Sequence, residues 1–182
     1  MNIKQFEYKP LAHFSYAIVS EGKMAVIDPE RNPEQYYAFA KANNSEIVAV
    51  IETHPHADFV SSHLEIHKKT GATIYNSEKL GADYPHEYFD EGDSIPLGNI
   101  TLKAINTPGH SPDSITIIAT EGNKTVLFTG DTLFIGDVGR PDLREKAGNM
   151  KAKREELAEM MYETITSKFT NLPEDAIVYP AH

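Results

Sequence analysis

The sequence predicts an α/β fold, and three observations predict it. Strand-like and helix-like stretches alternate through the first half, five short strand candidates follow in the middle, and helical spacing returns before a last apolar run. The 182 residues show no internal repeat and no low-complexity segment, so they read as a single domain spanning 1–182.

The elements follow in order. Ser15 to Val19 and Met24 to Ile27 are apolar runs on either side of Glu21-Gly22, which reads as a β-hairpin. Asp28-Pro29 closes the second run, and Pro33 suits an early position in a helix over Glu34 to Ala42. Ile47-Val48-Ala49-Val50-Ile51, inside Glu46 to Glu52, is apolar without a break and marks a strand buried on both faces. A helix is expected from Val60 to Thr70, ended by Gly71. Thr73 to Tyr75, Ser94 to Leu97, Ile100 to Ile105, Ser114 to Ala119 and Thr125 to Phe128 are strands, with turns at Gly98-Asn99 and Gly122-Asn123. A helix over about Ala152 to Lys168 puts Leu157, Met160, Met161, Tyr162 and Ile165 along one side. Ala176 to Tyr179 is the last strand.

Composition narrows the function. Seventeen Lys and Arg against 27 Asp and Glu give a net charge of −10, with no basic cluster, which argues against nucleic acid as a partner. No apolar run approaches the roughly 20 residues that span a bilayer, so no membrane partner is expected. The first ten residues also lack the apolar stretch of a secretory signal. Zero Cys removes disulfides, thiolate zinc sites and a cysteine nucleophile together. The default location is then cytoplasmic.

Polar residues arrive directly after four strands: His54-Pro55-His56-Ala57-Asp58, Pro108-Gly109-His110, Gly130-Asp131-Thr132 and Pro180-Ala181-His182. Strand ends are where α/β sheets place ligand sites. Imidazole and carboxylate without thiolate suit zinc, manganese or non-haem iron. Alone, His110 would be a turn histidine, Asp131 a cap and His182 a frayed end. Four such loops together favour a metal site. His13, His63, His67 and His86 lack this context and read as surface or helix residues.

These motifs resemble the metallo-β-lactamase superfamily from Asp28 to His182. Within it, the chain is most similar to persulfide dioxygenases, some of which are fused to rhodanese domains. That similarity rests on His56-Ala57-Asp58-Phe59-Val60-Ser61-Ser62-His63 and on Gly136-Asp137-Val138-Gly139-Arg140-Pro141-Asp142-Leu143. The resemblance implies an αβ/βα sandwich of two mixed sheets with helices on the outer faces. It makes His54, His110 and Asp131 the ligands of one Fe(II) per chain, with His56, Asp58 and His182 around them as catalytic residues. The implied substrates are a thiol persulfide and O₂, giving sulfite and free thiol. A rhodanese partner or fused domain and a homodimer are further expectations. Arg140 is placed to fork onto a substrate carboxylate, or else to pair internally with Asp137 or Asp142.

The superfamily's two-zinc hydrolases usually carry His after the motif's Asp, where this chain has Phe59, and that favours one metal. Two alternatives remain: a zinc-dependent thioester hydrolase of the glyoxalase II kind, and a non-catalytic metal-binding domain. Related enzymes continue past the last motif histidine with a glycine-rich segment, so the resemblance implies that this chain lacks a C-terminal segment.

Overall fold

The computed structural model describes residues 1–143 and 154–182. Within them two sheets face each other, with strand orders β1-β2-β3-β4-β5-β6 and β11-β10-β9-β8-β7. The first comprises β1 (Asn2–Tyr8), β2 (His13–Ser20), β3 (Lys23–Ile27), β4 (Glu46–Ile51), β5 (Thr73–Asn76) and β6 (Glu87–Tyr88). Helices α1 (Glu34–Ala42) and α2 (His63–Thr70) connect β3 to β4 and β4 to β5, which makes those pairs parallel crossovers. The second sheet comprises β7 (Ser94–Leu97), β8 (Ile100–Asn106), β9 (Ile115–Glu121), β10 (Lys124–Gly130) and β11 (Ile177–Pro180). It is antiparallel except for the β10–β11 pair, which α3 (Arg154–Glu163) precedes in the chain.

Two apolar layers follow from side-chain alternation along the strands. Tyr16, Ile18, Ala25, Ile27, Ala49 and Ile51 meet Leu102, Ala104, Ile115, Ile117, Val126 and Phe128 between the sheets. Ala17, Met24, Val26, Ile47 and Val50 instead pack on Tyr36, Ala40, Ile66 and Ala72 beneath α1 and α2. That second layer explains the unbroken apolar run of β4, which is covered on both faces.

Several elements differ from the sequence expectation. β1 pairs with β2 over its whole length, from Asn2–Val19 to Tyr8–His13. It escapes a hydrophobic reading because only Ile3 and Phe6 are even half-buried, as befits an edge strand. β6 also went unpredicted, being two exposed residues paired with β5. Helix α2 starts at His63 instead of Val60, which stands 72% exposed in the preceding loop. At the other helix, the expected residues 152 and 153 lie outside the described residues. α3 buries Leu157 and Met161, leaves Tyr162 71% exposed, and widens into a π-helical turn over Thr164–Lys168. It packs on the β8–β9 loop, where a Cβ on Gly109 would strike Met161 and where the Thr164 hydroxyl donates to the Pro108 carbonyl at 2.7 Å. Among the described residues no helix is long and apolar enough to cross a membrane.

Candidate metal centre

The sandwich brings its four polar strand ends to one edge and stitches them together. The Ile115 amide donates to the Thr53 carbonyl at 2.8 Å, joining the end of β4 to the start of β9. The Ala181 amide donates to Gly130 O at 3.0 Å, and the Phe14 amide to Ala181 O at 2.7 Å, which seats His182 beside Asp131. Gly130, at φ +53°, lies so close to the Thr53 side chain that a Cβ there would overlap it. Gly139 likewise presses its backbone onto the Asp131 carbonyl. Only glycine permits these two approaches.

His54, His110 and Asp131 converge, each offering one ligand atom within 4.8 Å of the others. Asp131 Oδ2 lies 3.7 Å from His54 Nε2 and 3.8 Å from His110 Nε2, too far for hydrogen bonds. The other ring nitrogens explain which tautomers are present. The Thr53 hydroxyl donates to Asp28 Oδ2 at 2.7 Å, so its contact with His54 Nδ1 at 3.0 Å has the imidazole as donor. His110 Nδ1 donates to the Arg140 carbonyl at 3.1 Å, since a carbonyl can only accept. Nδ1 is therefore protonated on both rings, and in the neutral form each Nε2, which lies on the Asp131 side, offers a lone pair. Outer hydrogen bonds of this kind are how proteins fix metal-binding histidines. Two imidazole lone pairs and a carboxylate, with no thiolate, fit a divalent zinc, iron or manganese ion.

His182 bridges two carboxylates, its Nδ1 2.7 Å from Asp131 Oδ1 and its Nε2 3.3 Å from Asp58 Oδ2. Since carboxylates only accept, the doubly protonated ring suits this position, and the Asp131 hydrogen bond raises its pKa above the ordinary histidine value. Burial pushes the Asp131 pKa up, but the His182 hydrogen bond and charge outweigh it and hold the carboxyl below its usual range.

His56 turns away from this centre. Its Nε2 lies 3.2 Å from Asp28 Oδ1 and 3.4 Å from Glu52 Oε2. Burial disfavours charge on its ring, yet Asp28 and Glu52 overcome that and push its pKa up to about 10. Asp28 itself sits at φ +49°, a left-handed conformation held by the Thr53 amide and hydroxyl, each donating to it at 2.7 Å. Phe59 lies over His56 and His13, with ring centroids 4.4 and 4.3 Å away.

The sequence reading missed Asp28, Glu52, Thr53 and His13. Their signal was position: Asp28 closes β3, and Glu52-Thr53 sit between β4 and His54. His13, expected at the surface, is buried within ring contact of His56 and His182, and burial drops its pKa to about 4. His63 opens α2 with Nδ1 3.1 Å from Glu52 Oε1, whereas His67 and His86 lie apart from the cluster, bonded to the Ala72 and Tyr84 carbonyls. The Arg140 guanidinium holds Asp142 at 2.7 and 3.1 Å, so of the two sequence expectations for it the internal pair is formed. Its carbonyl, not its side chain, touches the centre.

An αβ/βα sandwich with a His/His/Asp cluster at one edge defines a class of metal-dependent enzymes. This chain belongs to the metallo-β-lactamase superfamily, whose sequence model matches residues 8–182. It is 29% identical over 177 residues to a probable hydroxyacylglutathione hydrolase of Schizosaccharomyces pombe, covering 93% of this chain and 63% of that protein. It is 27% identical over 164 residues to the mitochondrial persulfide dioxygenase ETHE1 of Bos taurus, covering 89% and 60%. Among solved structures, a metallo-β-lactamase from Staphylococcus aureus subsp. aureus COL superposes with a TM-score of 0.89 at 35% identity, over 100% of this chain and 56% of that one. The chain thus spans about three-fifths of the length of the curated relatives it matches. Those relatives include both an oxidoreductase and a hydrolase.

Proposed function

We propose that this chain is the iron-binding domain of a persulfide dioxygenase, acting on a thiol persulfide: RSSH + O₂ + H₂O gives RSH and sulfite with two protons. The terminal sulfur is oxidised and O₂ is reduced, so atoms and electrons balance without a further reductant. His54, His110 and Asp131 would hold Fe(II), a two-histidine, one-carboxylate set that leaves coordination positions for substrates. When bound, the ion supplies the oxygen chemistry.

The observation that supports this reading is Phe59. Where a two-zinc hydrolase needs another imidazole, this chain has an apolar ring packed over His56 and His13. His182 hydrogen-bonds Asp131 and Asp58 directly, so the remaining groups of a second site are engaged with each other. The protein's own tasks are then positional. Thr53 and the Arg140 carbonyl aim the two imidazoles, and His182 fixes Asp131 Oδ1 so that Oδ2 faces them. Asp58 and His182, both partly exposed, are the catalytic residues suited to handling protons at the mouth. His56, turned inward, holds the loop.

The second reading is a zinc-dependent thioester hydrolase. It draws on the Asp58–His182–Asp131 chain, whose two carboxylates and imidazole would suit a second ion once His182 is neutral. Oxygen uptake separates the two. Iron-loaded protein should consume O₂ on addition of glutathione persulfide and should not cleave S-lactoylglutathione. Thioester cleavage by the zinc form, with no persulfide-driven uptake by the iron form, would assign the hydrolase instead.

A further inference from the structure

We propose that Asp28, Glu52 and His56 form a second metal site, which takes a divalent transition cation and is separate from the His54–His110–Asp131 centre. One ligand atom from each lies within 4.8 Å of the other two. His56 Nε2 is 3.2 Å from Asp28 Oδ1 and 3.4 Å from Glu52 Oε2. A tetrahedral zinc ion with bonds of about 2.0–2.1 Å spaces its ligand atoms by roughly 3.3 Å, which these separations match.

A second feature points to a ligand. The His56 side chain is 2% exposed, and its Nε2 contacts with the two carboxylates are ion-pair distances that fall outside hydrogen-bond geometry. Its Nε2 sits between two carboxylate oxygens and is aligned with neither. A ring N–H would point at one of them, whereas a cation occupies the space between. The carboxylates are equally enclosed, at 2% and 4% exposure, so their charges need a compensating cation. A dication with neutral His56 balances both.

The rest of each carboxylate is held in place. Glu52 Oε1 accepts from the Ser61 hydroxyl at 2.5 Å and faces His63 Nδ1 at 3.1 Å, which leaves Oε2 toward His56. Asp28 accepts from the Thr53 amide and hydroxyl, and each of its oxygens keeps a second lone pair. A cavity of about 360 Å³ reaches Glu52 and His56 past Pro55, Phe59, Val60 and Tyr84, providing an entry path. Bound there, the ion ties the ends of β3 and β4 to the histidine loop. The proposal is independent of the persulfide reading, because it concerns ion count and place and not turnover.

The test is metal content of the 182-residue chain saturated with Zn²⁺ and freed of excess, with anomalous diffraction at the zinc edge. Wild type should hold two ions, with an anomalous peak among Asp28, Glu52 and His56. Glu52→Gln should hold one, at the His54–His110–Asp131 centre, while Asp58→Asn should keep both. A single ion in wild type would overturn the proposal. So would a second ion that survives Glu52→Gln and is lost in Asp58→Asn, since it would then lie against His182. Should Glu52→Gln fail to fold, the wild-type anomalous map decides alone: no peak between the three residues rejects the site.

Discussion

His54 and His56 stand two residues apart on one loop, with ring centroids 4.4 Å apart, yet they enter different chemical settings. His54 meets a hydroxyl that must accept its Nδ1 proton, so its Nε2 lone pair joins that of His110 opposite one carboxylate. His56 meets two buried carboxylates, which favour positive charge at its ring. The lesson is that spacing puts imidazoles in reach of a site, but the partner of the far nitrogen decides what each offers. The sharpest way to break the comparison is His110→Ala. It removes a ligand of the His54 cluster and touches nothing in the other, so iron content and persulfide-driven oxygen uptake should fall by more than about 100-fold, beyond the loss usual for outer-shell partners. Full iron occupancy in that variant would show that the cluster is misassigned.

Backbone packing gives the next largest effect. Gly130→Ala would drive a methyl group into the Thr53 side chain at a left-handed position, disturbing both clusters at once because Thr53 serves Asp28 and His54. Urea unfolding should show a loss of about 1–3 kcal/mol, the range for overpacking. An unchanged midpoint would mean that the contact relaxes without cost. Thr53→Val acts more gently: it keeps the shape, removes the acceptor for His54 Nδ1, and leaves the Thr53 amide bond to Asp28 in place. Iron affinity, read by competition with a chelator, should fall by about 10–100-fold. A loss confined to stability would make Thr53 a packing residue only.

Much of this comparison was legible in the sequence, though unevenly. The α/β class and the edge carrying His54, His110, Asp131 and His182 could be read because polar loops follow apolar strands directly, whereas the two-sheet sandwich followed only from the resemblance of the motifs. β1 could not, because in this edge strand only Ile3 and Phe6 are half-buried, one against each apolar layer, which leaves no hydrophobic period. Asp28 looked like a strand terminator, and Glu52 like the start of a loop. Their roles depend on the parallel pairing of β3 and β4, which sets Ile27 beside Ile51 and so brings the residues after them together. His13, at the start of β2, is likewise buried by distant segments, through ring contacts with His56, Phe59 and His182. Pairing between distant segments leaves no periodic mark on either one.

The smallest expected effect concerns Arg140. Residue type suggested a fork for a substrate carboxylate, but the guanidinium is 69% exposed and already bidentate on Asp142. What the centre uses is the main-chain carbonyl, which accepts from His110 Nδ1 and survives any side-chain replacement. Arg140→Gln should therefore leave iron affinity unchanged, and KM for a carboxylate-bearing persulfide should move by no more than about twofold, since exposed ion pairs contribute little. Asp142→Asn distinguishes the roles further, because it frees the guanidinium without removing it. If Arg140 can serve substrate at all, that variant should lower KM while Arg140→Gln raises it. A tenfold or larger rise in KM for Arg140→Gln alone, with kcat and iron content intact, would show that the guanidinium leaves Asp142 for substrate and that the ion pair is its resting state.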